Sequence, residues 1–454
     1  MHDLPRCEKE QDSLDICEAS ITKRTTSDSE GPASQSDEER IESIDPEDIF
    51  PEGGLRACLV VASAFLLLFP SYGLMDAIGT LQDYWLQHQL ADYTASHVGW
   101  IANVFVFFGL GLQIFFGPIF DRYGPRWIAV VGSVGFLFMI FVLAEYDRFW
   151  QMLLCCSLLR GVSISLLMSA AQPAVAHWFK VRRGTAQGFA SAGVAFGGLL
   201  LPLILKSTLP KYGYAWSLRI LGFVFLFCPI ISSLLMKTRL PPSPAEKKRS
   251  IISPSIFRSL AFSLFTLFVF GFELVCFRGI GMLPTYATMV GNFPPDTGFC
   301  LLAVCNGASG VGNVLAGPLI AKRIGEFNTM ITMMDFNLLC TLGLWLPFGH
   351  TSLVALYWFA ALFGFGSGGA FALTGACVGK MRKAQEYGRY YGTMYSVASF
   401  ATLAGMPLSG AIAQKFGVQA MVALQGSFLV LSLTSLVLSR WALLGRRWAV
   451  KVVI

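Results

Sequence analysis

Twelve apolar runs fill most of the chain after Pro51, each long enough to cross roughly 30 Å of hydrocarbon as a helix. They fall near 57–81, 98–120, 127–144, 149–176, 184–205, 217–236, 259–284, 298–320, 329–348, 353–378, 391–413 and 419–440. An open sheet cannot satisfy its backbone groups in lipid, so the runs are expected to be helices. The expected fold class is therefore all-α integral membrane, with twelve transmembrane helices in two parallel six-helix repeats.

Composition agrees. Only 14% of the 454 residues are charged and 54% are hydrophobic, against about 25% charged in a typical soluble domain. A water-soluble enzyme is excluded. The net charge of +6 is unevenly spread: residues 1–52 hold sixteen of the 28 acids and only five of the 34 bases. Residues 1–50 read as a disordered acidic cytoplasmic tail, too poor in aliphatic residues to offset the entropy of ordering. No basic, aromatic-interleaved stripe is present, which argues against nucleic acid as a partner.

Cys7 and Cys17 lie in the tail, and the other nine cysteines lie in or beside apolar runs, as small buried hydrophobes would. The five histidines never occur three or four apart, so no metal site is expected. No Gly-x-x-x-x-Gly-Lys-Ser/Thr stretch occurs, so no nucleotide drives the chain directly. No cofactor is expected, and no enzymatic constellation stands out.

The connecting loops set orientation. Loops after the even-numbered spans, through span 10, carry seventeen Lys and Arg, whereas those after odd spans carry four. Both termini are thus expected in the cytoplasm, and a multi-pass plasma-membrane protein is the default address. The Pro-rich basic stretch 237–258 separates a six-helix bundle at 51–236 from another at 259–440, with 441–454 as a short cytoplasmic tail. An internal repeat supports the division: Gly117-Pro118-Ile119-Phe120-Asp121-Arg122 closes span 2, and Gly317-Pro318-Leu319-Ile320-Ala321-Lys322 closes span 8, two hundred residues on. Parallel six-helix repeats around a central site are a build used by rocking secondary transporters.

The loop from Gly117 through Asp121, Arg122 and Gly124 to Arg126 resembles the signature between spans 2 and 3 of the major facilitator superfamily. Gly124 allows a tight turn, and Asp121, Arg122 and Arg126 can make charge pairs that open and close as a gate. Two further stretches resemble the monocarboxylate transporter family of that superfamily, in its fungal branch. One is Pro51-Glu52-Gly53-Gly54-Leu55-Arg56-Ala57, with the run from Tyr72 to Gly79, Gln82 and Tyr84. The other is the segment from Trp178 to Gly193. The resemblance spans about residues 50–440 and implies alternating access to one central site, in a chain working as a monomer. Glycines 188, 193, 197 and 198 form a small-residue face suited to close helix packing.

Animal members of that family that move lactate with protons use a Lys in span 1 and an Asp and an Arg in span 8. Here the Lys position falls at or near Asp76 and the Arg position near Asn313. Nothing charged occurs between Gly298 and Ile320, where Asn306 and Asn313 are the polar amides. The proton–lactate mechanism therefore does not transfer residue by residue.

The chain has intramembrane charges of its own: Asp76, Arg160, Glu273, Arg278 and Asp335. Such groups are costly in hydrocarbon and are functional candidates by default. Arg160 lies roughly 16 Å from the outer end of span 4, at 1.5 Å per residue. It either meets an anionic solute as a planar bidentate donor or pairs permanently with Asp76 or Glu273. Asp76 and Glu273, in the first span of each repeat, are candidates for proton coupling; the alternative is a hydrated rim position. Tyr72, Tyr286, Tyr357, Trp358 and Tyr395 are aromatic positions suited to a cavity or to the membrane interface. The expected function is secondary transport of a small organic solute, as efflux of a fungal secondary metabolite or import of a carboxylate or vitamin-like nutrient. A non-transporting nutrient sensor is the rival class.

Overall fold

The computed structural model describes residues 50–237, 239, 251–290, 293–294 and 297–447. The acidic segment 1–49, most of the linker and residues 448–454 lie outside the described residues. Eleven helices there are long and apolar enough to cross a membrane. One of them, Arg183–Leu235, has 53 residues and as a single rod would measure about 80 Å, far beyond a bilayer. It is two helices. Gly213, at φ 75° and ψ 178°, breaks the helical path between them.

The same backbone conformation recurs at Gly124 (φ 78°, ψ 178°), Gly325 (φ 87°, ψ 159°) and Gly417 (φ 88°, ψ 166°). These glycines join spans 2 to 3, 8 to 9 and 11 to 12, and Gly213 joins 5 to 6. A positive φ costs a residue with a Cβ, so glycine is the residue that turns the chain here. Gly124 and Gly325, like Gly213 and Gly417, hold corresponding places in the two halves. With the long helix divided, the spans number twelve among the described residues.

Their bounds are Leu55–Gln87, His97–Tyr123, Pro125–Leu143, Phe149–Trp178, 183–212, 214–235, Leu260–Val290, Thr297–Ile324, Glu326–Phe348, Leu353–Met381, Tyr387–Phe416 and Val418–Leu443. Several run beyond the apolar stretch that announces them. Span 1 breaks at Ala77 and resumes as Ile78–Gln87, whose buried Leu81 and Trp85 anchor an otherwise polar turn. Helix-forming polar residues at a span end simply continue the helix into the polar zone, where hydropathy no longer marks it.

Within the first half, span 1 packs along span 5 and span 3 along span 4; in the second half, span 7 packs on spans 11 and 12, and span 8 on span 10. Hydrogen bonds also tie neighbouring spans. The Ser63 and Ser232 hydroxyls meet at 2.8 Å between spans 1 and 6. Gln425 Nε2 donates to the Val275 carbonyl at 2.7 Å between spans 12 and 7. Spans 2 and 11 pack together, as do 5 and 8, and these pairs join the halves. Trp127, Phe138 and Phe227 are exposed around the perimeter, as apolar side chains facing lipid would be. Seven of the described cysteines are buried or nearly so by position in helix contacts, but Cys58 is exposed and Cys300 half-buried, so burial does not hold for all.

Candidate functional site

A cavity of about 320 Å³ lies between the halves, lined by residues of spans 1, 2, 4, 5, 7, 8, 10 and 11. Small-molecule sites commonly begin near this size. Its walls include Tyr72, Phe277, Phe371, Tyr391 and Tyr395, with Asn103, Gln172, Ser191, Glu273, Asn306 and Asn313 as polar groups. Spans 1, 2, 7 and 8 reach it through their halves nearer the sparsely charged loops. Glu273 is 2% exposed, and Tyr72 and Tyr395 lie within electrostatic range of its carboxyl.

The amides are partly committed. Asn306 Nδ2 donates to the Gly198 carbonyl at 3.1 Å, from one half to the other. Gln172 Nε2 donates to Ser191 Oγ at 3.1 Å. Asn306 and Asn313 stand seven residues apart on span 8, two helical turns, so both face the cavity.

Tyr387, Tyr391 and Tyr395 form a ladder at four-residue spacing on span 11. Their ring centroids lie 5.5 and 4.7 Å apart. Tyr391 and Tyr395 line the cavity. Tyr387 is below it, where its hydroxyl accepts from Gln187 Nε2 at 2.8 Å and donates to the Gly375 carbonyl at 3.0 Å.

That contact belongs to a seal at the end carrying the basic loops. Asp121, at the close of span 2, accepts from the backbone N–H groups of Gly388 and Arg389 at 3.0 and 2.8 Å. These donors open span 11, so the carboxylate sits at the positive end of a helix and satisfies N–H groups that have no partner inside it. A Cβ on Gly117 would collide with the Gly388 carbonyl, and one on Gly188 with the Asn313 carbonyl. The first contact joins spans 2 and 11, the second spans 5 and 8. His177 Nε2 lies 2.9 Å from the Ala384 carbonyl and adds a third tie between the halves.

Glu52, just before span 1, clamps the start of span 5. Its carboxylate accepts from the N–H groups of Lys180, Val181 and Arg182 at 2.7, 2.6 and 2.9 Å. Phe50 lies beneath Lys180 and Arg239, at 5.6 and 4.6 Å from its ring centroid.

The expected residues are thus distributed unevenly. Glu273, Asn306 and Asn313 come together in the cavity wall with Tyr72 and Tyr395. Arg160 is wholly buried in span 4 after a π-helical stretch, Leu153–Leu159, but is not among the cavity-lining residues. Its guanidinium lies 4.0 Å over the Phe105 ring and Nη1 donates to Cys156 Sγ at 3.6 Å. The Asp76 side chain lies outside the described residues, although its backbone ends the helix Leu55–Asp76; the Arg278 side chain also lies outside them. Asp121 contacts the partner half, whereas Arg126 Nε donates within its own half to the Met236 carbonyl at 3.3 Å. Tyr286 packs on Trp345, and Trp358 is exposed. Of the packing glycines, 193 and 197 meet span 1 at Phe65 and Gly73.

Comparison with known proteins places this geometry. The family model described as Major Facilitator Superfamily matches residues 59–349 and 332–447. The riboflavin transporter of Saccharomyces cerevisiae is 32% identical over 406 residues, covering 84% of this chain and 77% of its own. The aspyridones efflux protein of Emericella nidulans is 32% identical over 370 residues, covering 81% and 74%. Among solved structures, the human organic anion transporter TETRAN aligns with a TM-score of 0.64 at 18% identity, over 84% of this chain and 97% of that one. The transporter FucP in its outward conformation also gives 0.64, at 14% identity, over 86% and 98%.

Proposed function

Because the chain belongs to the major facilitator superfamily, and so is a multi-pass membrane transporter of small solutes rather than an enzyme, we propose that it is a secondary active transporter that exports an organic metabolite by alternating access. The observation that carries this reading is a buried, carboxyl-bearing cavity between the halves, closed at the end carrying the basic loops by contacts such as that of Asp121 with span 11. The bundles at 51–236 and 259–440 are the rocking bodies, and 237–258 is the tether between them. The basic loops put the sealed end in the cytoplasm, along with both termini, so the cavity faces outward across the plasma membrane. The signatures at 51–57 and 178–193 favour a monocarboxylate-porter-like subgroup.

Alternation then follows from the contacts. Rocking toward the cytoplasm must release Asp121 from span 11, part the glycine contacts and expose Tyr387. Each contact is modest alone, so closure is reversible at a cost of a few kcal/mol, as a two-state carrier needs. Glu273 is the group for proton coupling, because it lies at the cavity wall and can exchange its proton with whichever side the cavity faces.

A second reading is import of a vitamin-like nutrient, favoured by the similarity to the yeast riboflavin transporter. The deciding experiment compares wild-type and deletion strains for metabolites secreted and retained, together with uptake of labelled riboflavin. Export predicts intracellular accumulation of a compound that disappears from the medium, with riboflavin uptake unchanged. Lost riboflavin uptake with unaltered secretion contradicts export.

A further inference from the structure

Pro202 stands inside span 5. In an α-helix each carbonyl accepts the N–H four residues on, and proline has none to give, so the Gly198 carbonyl loses its partner within the helix. The replacement comes from the other half: Asn306 Nδ2 of span 8 donates to it at 3.1 Å, beside the cavity. Further out, Lys206 Nζ of span 5 lies 4.6 Å from the centroid of the Phe299 ring of span 8. Spans 5 and 8 are thus joined at their outer halves as well as at the glycine contacts below.

The internal repeat supplies the same parts to spans 2 and 11. Pro407 follows Pro202 by 205 residues, and the carbonyl it deprives is that of Leu403, 205 residues after Gly198. The amide matching Asn306 is Asn103, 203 residues before it, and Asn103 also lines the cavity. Packing sets the two on facing helix surfaces. Phe107 of span 2 meets Phe400 of span 11 with ring centroids 5.3 Å apart, and a Cβ on Gly111 would come within 3.2 Å of Ser399 Oγ. Asn103 lies one turn outward of Phe107, and Leu403 one turn outward of Ser399, each continuing its helix face. Here, however, the bond is not made: Asn103 has no hydrogen-bond partner among the described residues.

Resting on the alternating-access reading and deepening it, we infer that Asn103 is an outer gate residue: as the outer end closes, its amide donates to the Leu403 carbonyl. This completes between spans 2 and 11 the tie that Asn306 and Gly198 already make between spans 5 and 8. With the gap open, water in the cavity serves the Leu403 carbonyl, as irregular backbone requires within a membrane. Closing expels that water, and the Asn103 amide is placed to replace it. Cargo therefore passes this end between spans 2 and 11, where Asn103 and Thr402 are wall residues. Pro407 is a positioning residue, because it acts through the carbonyl it leaves for Asn103.

The test is a double-mutant cycle read by spin-label distances on the full-length protein in lipid nanodiscs, with no cargo added. Labels at His97→Cys and Gln414→Cys span the outer ends of spans 2 and 11, in a chain with Cys7, Cys17, Cys58 and Cys300 replaced by Ser. The shorter distance reports the closed outer end. Asn103→Ala removes one hydrogen bond from that state alone, so its population is expected to fall about fivefold. Asn103→Leu, which keeps the volume, should do the same and serves where the alanine variant fails to fold. Pro407→Ala restores an N–H at 407 and pairs the Leu403 carbonyl within its own helix. In that background Asn103→Ala should leave the population unchanged. A side chain that merely packs would give the same fall in both backgrounds, and that result overturns the inference, as does no fall in either. Two distances that no substitution moves contradict the tie and leave alternation standing. A single distance throughout, wild type included, contradicts alternation itself and the tie with it.

Discussion

The Asp121 carboxylate of span 2 accepts the Gly388 N–H of span 11 at 3.0 Å, bridging residues 267 apart in sequence and belonging to opposite halves. With the adjacent bond from Arg389, it caps a helix start that the chain itself leaves uncapped. Replacing Asp121 with Asn removes the charge and half the acceptor capacity. Loss of a charged cap costs about 1–2 kcal/mol, so the sealed state should lose roughly five- to thirty-fold in relative population. Maleimide labelling of Ser191→Cys from the basic-loop side measures this, and the labelling rate should rise accordingly.

Gly117 and Gly388 approach so closely that no side chain fits between them. Gly117→Ala should prevent full closure and cut flux about tenfold or more, since overpacking a tight contact costs about 1–3 kcal/mol. Gly343→Ala is the matched control, because a Cβ there meets nothing within 4 Å. Flux per folded molecule in proteoliposomes separates the two variants.

The span count, the basic-loop asymmetry and the internal repeat were all legible in the sequence, because hydropathy, charge and glycine spacing act locally. The partner of Asp121 was not. Backbone N–H groups exist at every residue but proline, so nothing in the letters of Gly388 and Arg389 marks them as its partners. The three-fold clamp of Glu52 escaped for the same reason. The tyrosine ladder was available: Tyr387, Tyr391 and Tyr395 recur every fourth residue, a single helix face, although only Tyr395 drew attention as a lone aromatic. Arg160 shows the reverse limit. Its depth was readable, and so was Cys156 four residues back on the same helix face, but its contact with Phe105 depends on how spans 2 and 4 rotate against each other.

Glu52 joins the segment before span 1 to three N–H groups at the start of span 5 and holds a left-handed backbone, φ 54°. Glu52→Ala should lower stability by about 1–2 kcal/mol, the loss expected for a charged cap. Thermal unfolding in detergent, followed by tryptophan fluorescence, should show a lower midpoint. Glu52→Gln should recover part of it.

Glu273 is the one carboxyl among the described cavity-lining residues. If it carries the coupled proton, flux in the wild type responds to an imposed pH gradient and flux in Glu273→Gln does not. The variant should still exchange cargo when no gradient is present. A gradient response that survives the substitution assigns coupling elsewhere.

Alternation itself is tested most directly by distances across the two ends of the bundle in lipid nanodiscs. Paired spin labels at Arg122→Cys and Lys383→Cys span the seal, and a second pair at Gln87→Cys and Thr351→Cys spans the opposite end. The account predicts two populations at each end, changing reciprocally: in Asp121→Asn the first pair shifts toward its longer distance and the second toward its shorter one. A single distance at both ends, unmoved by the substitution, would contradict it.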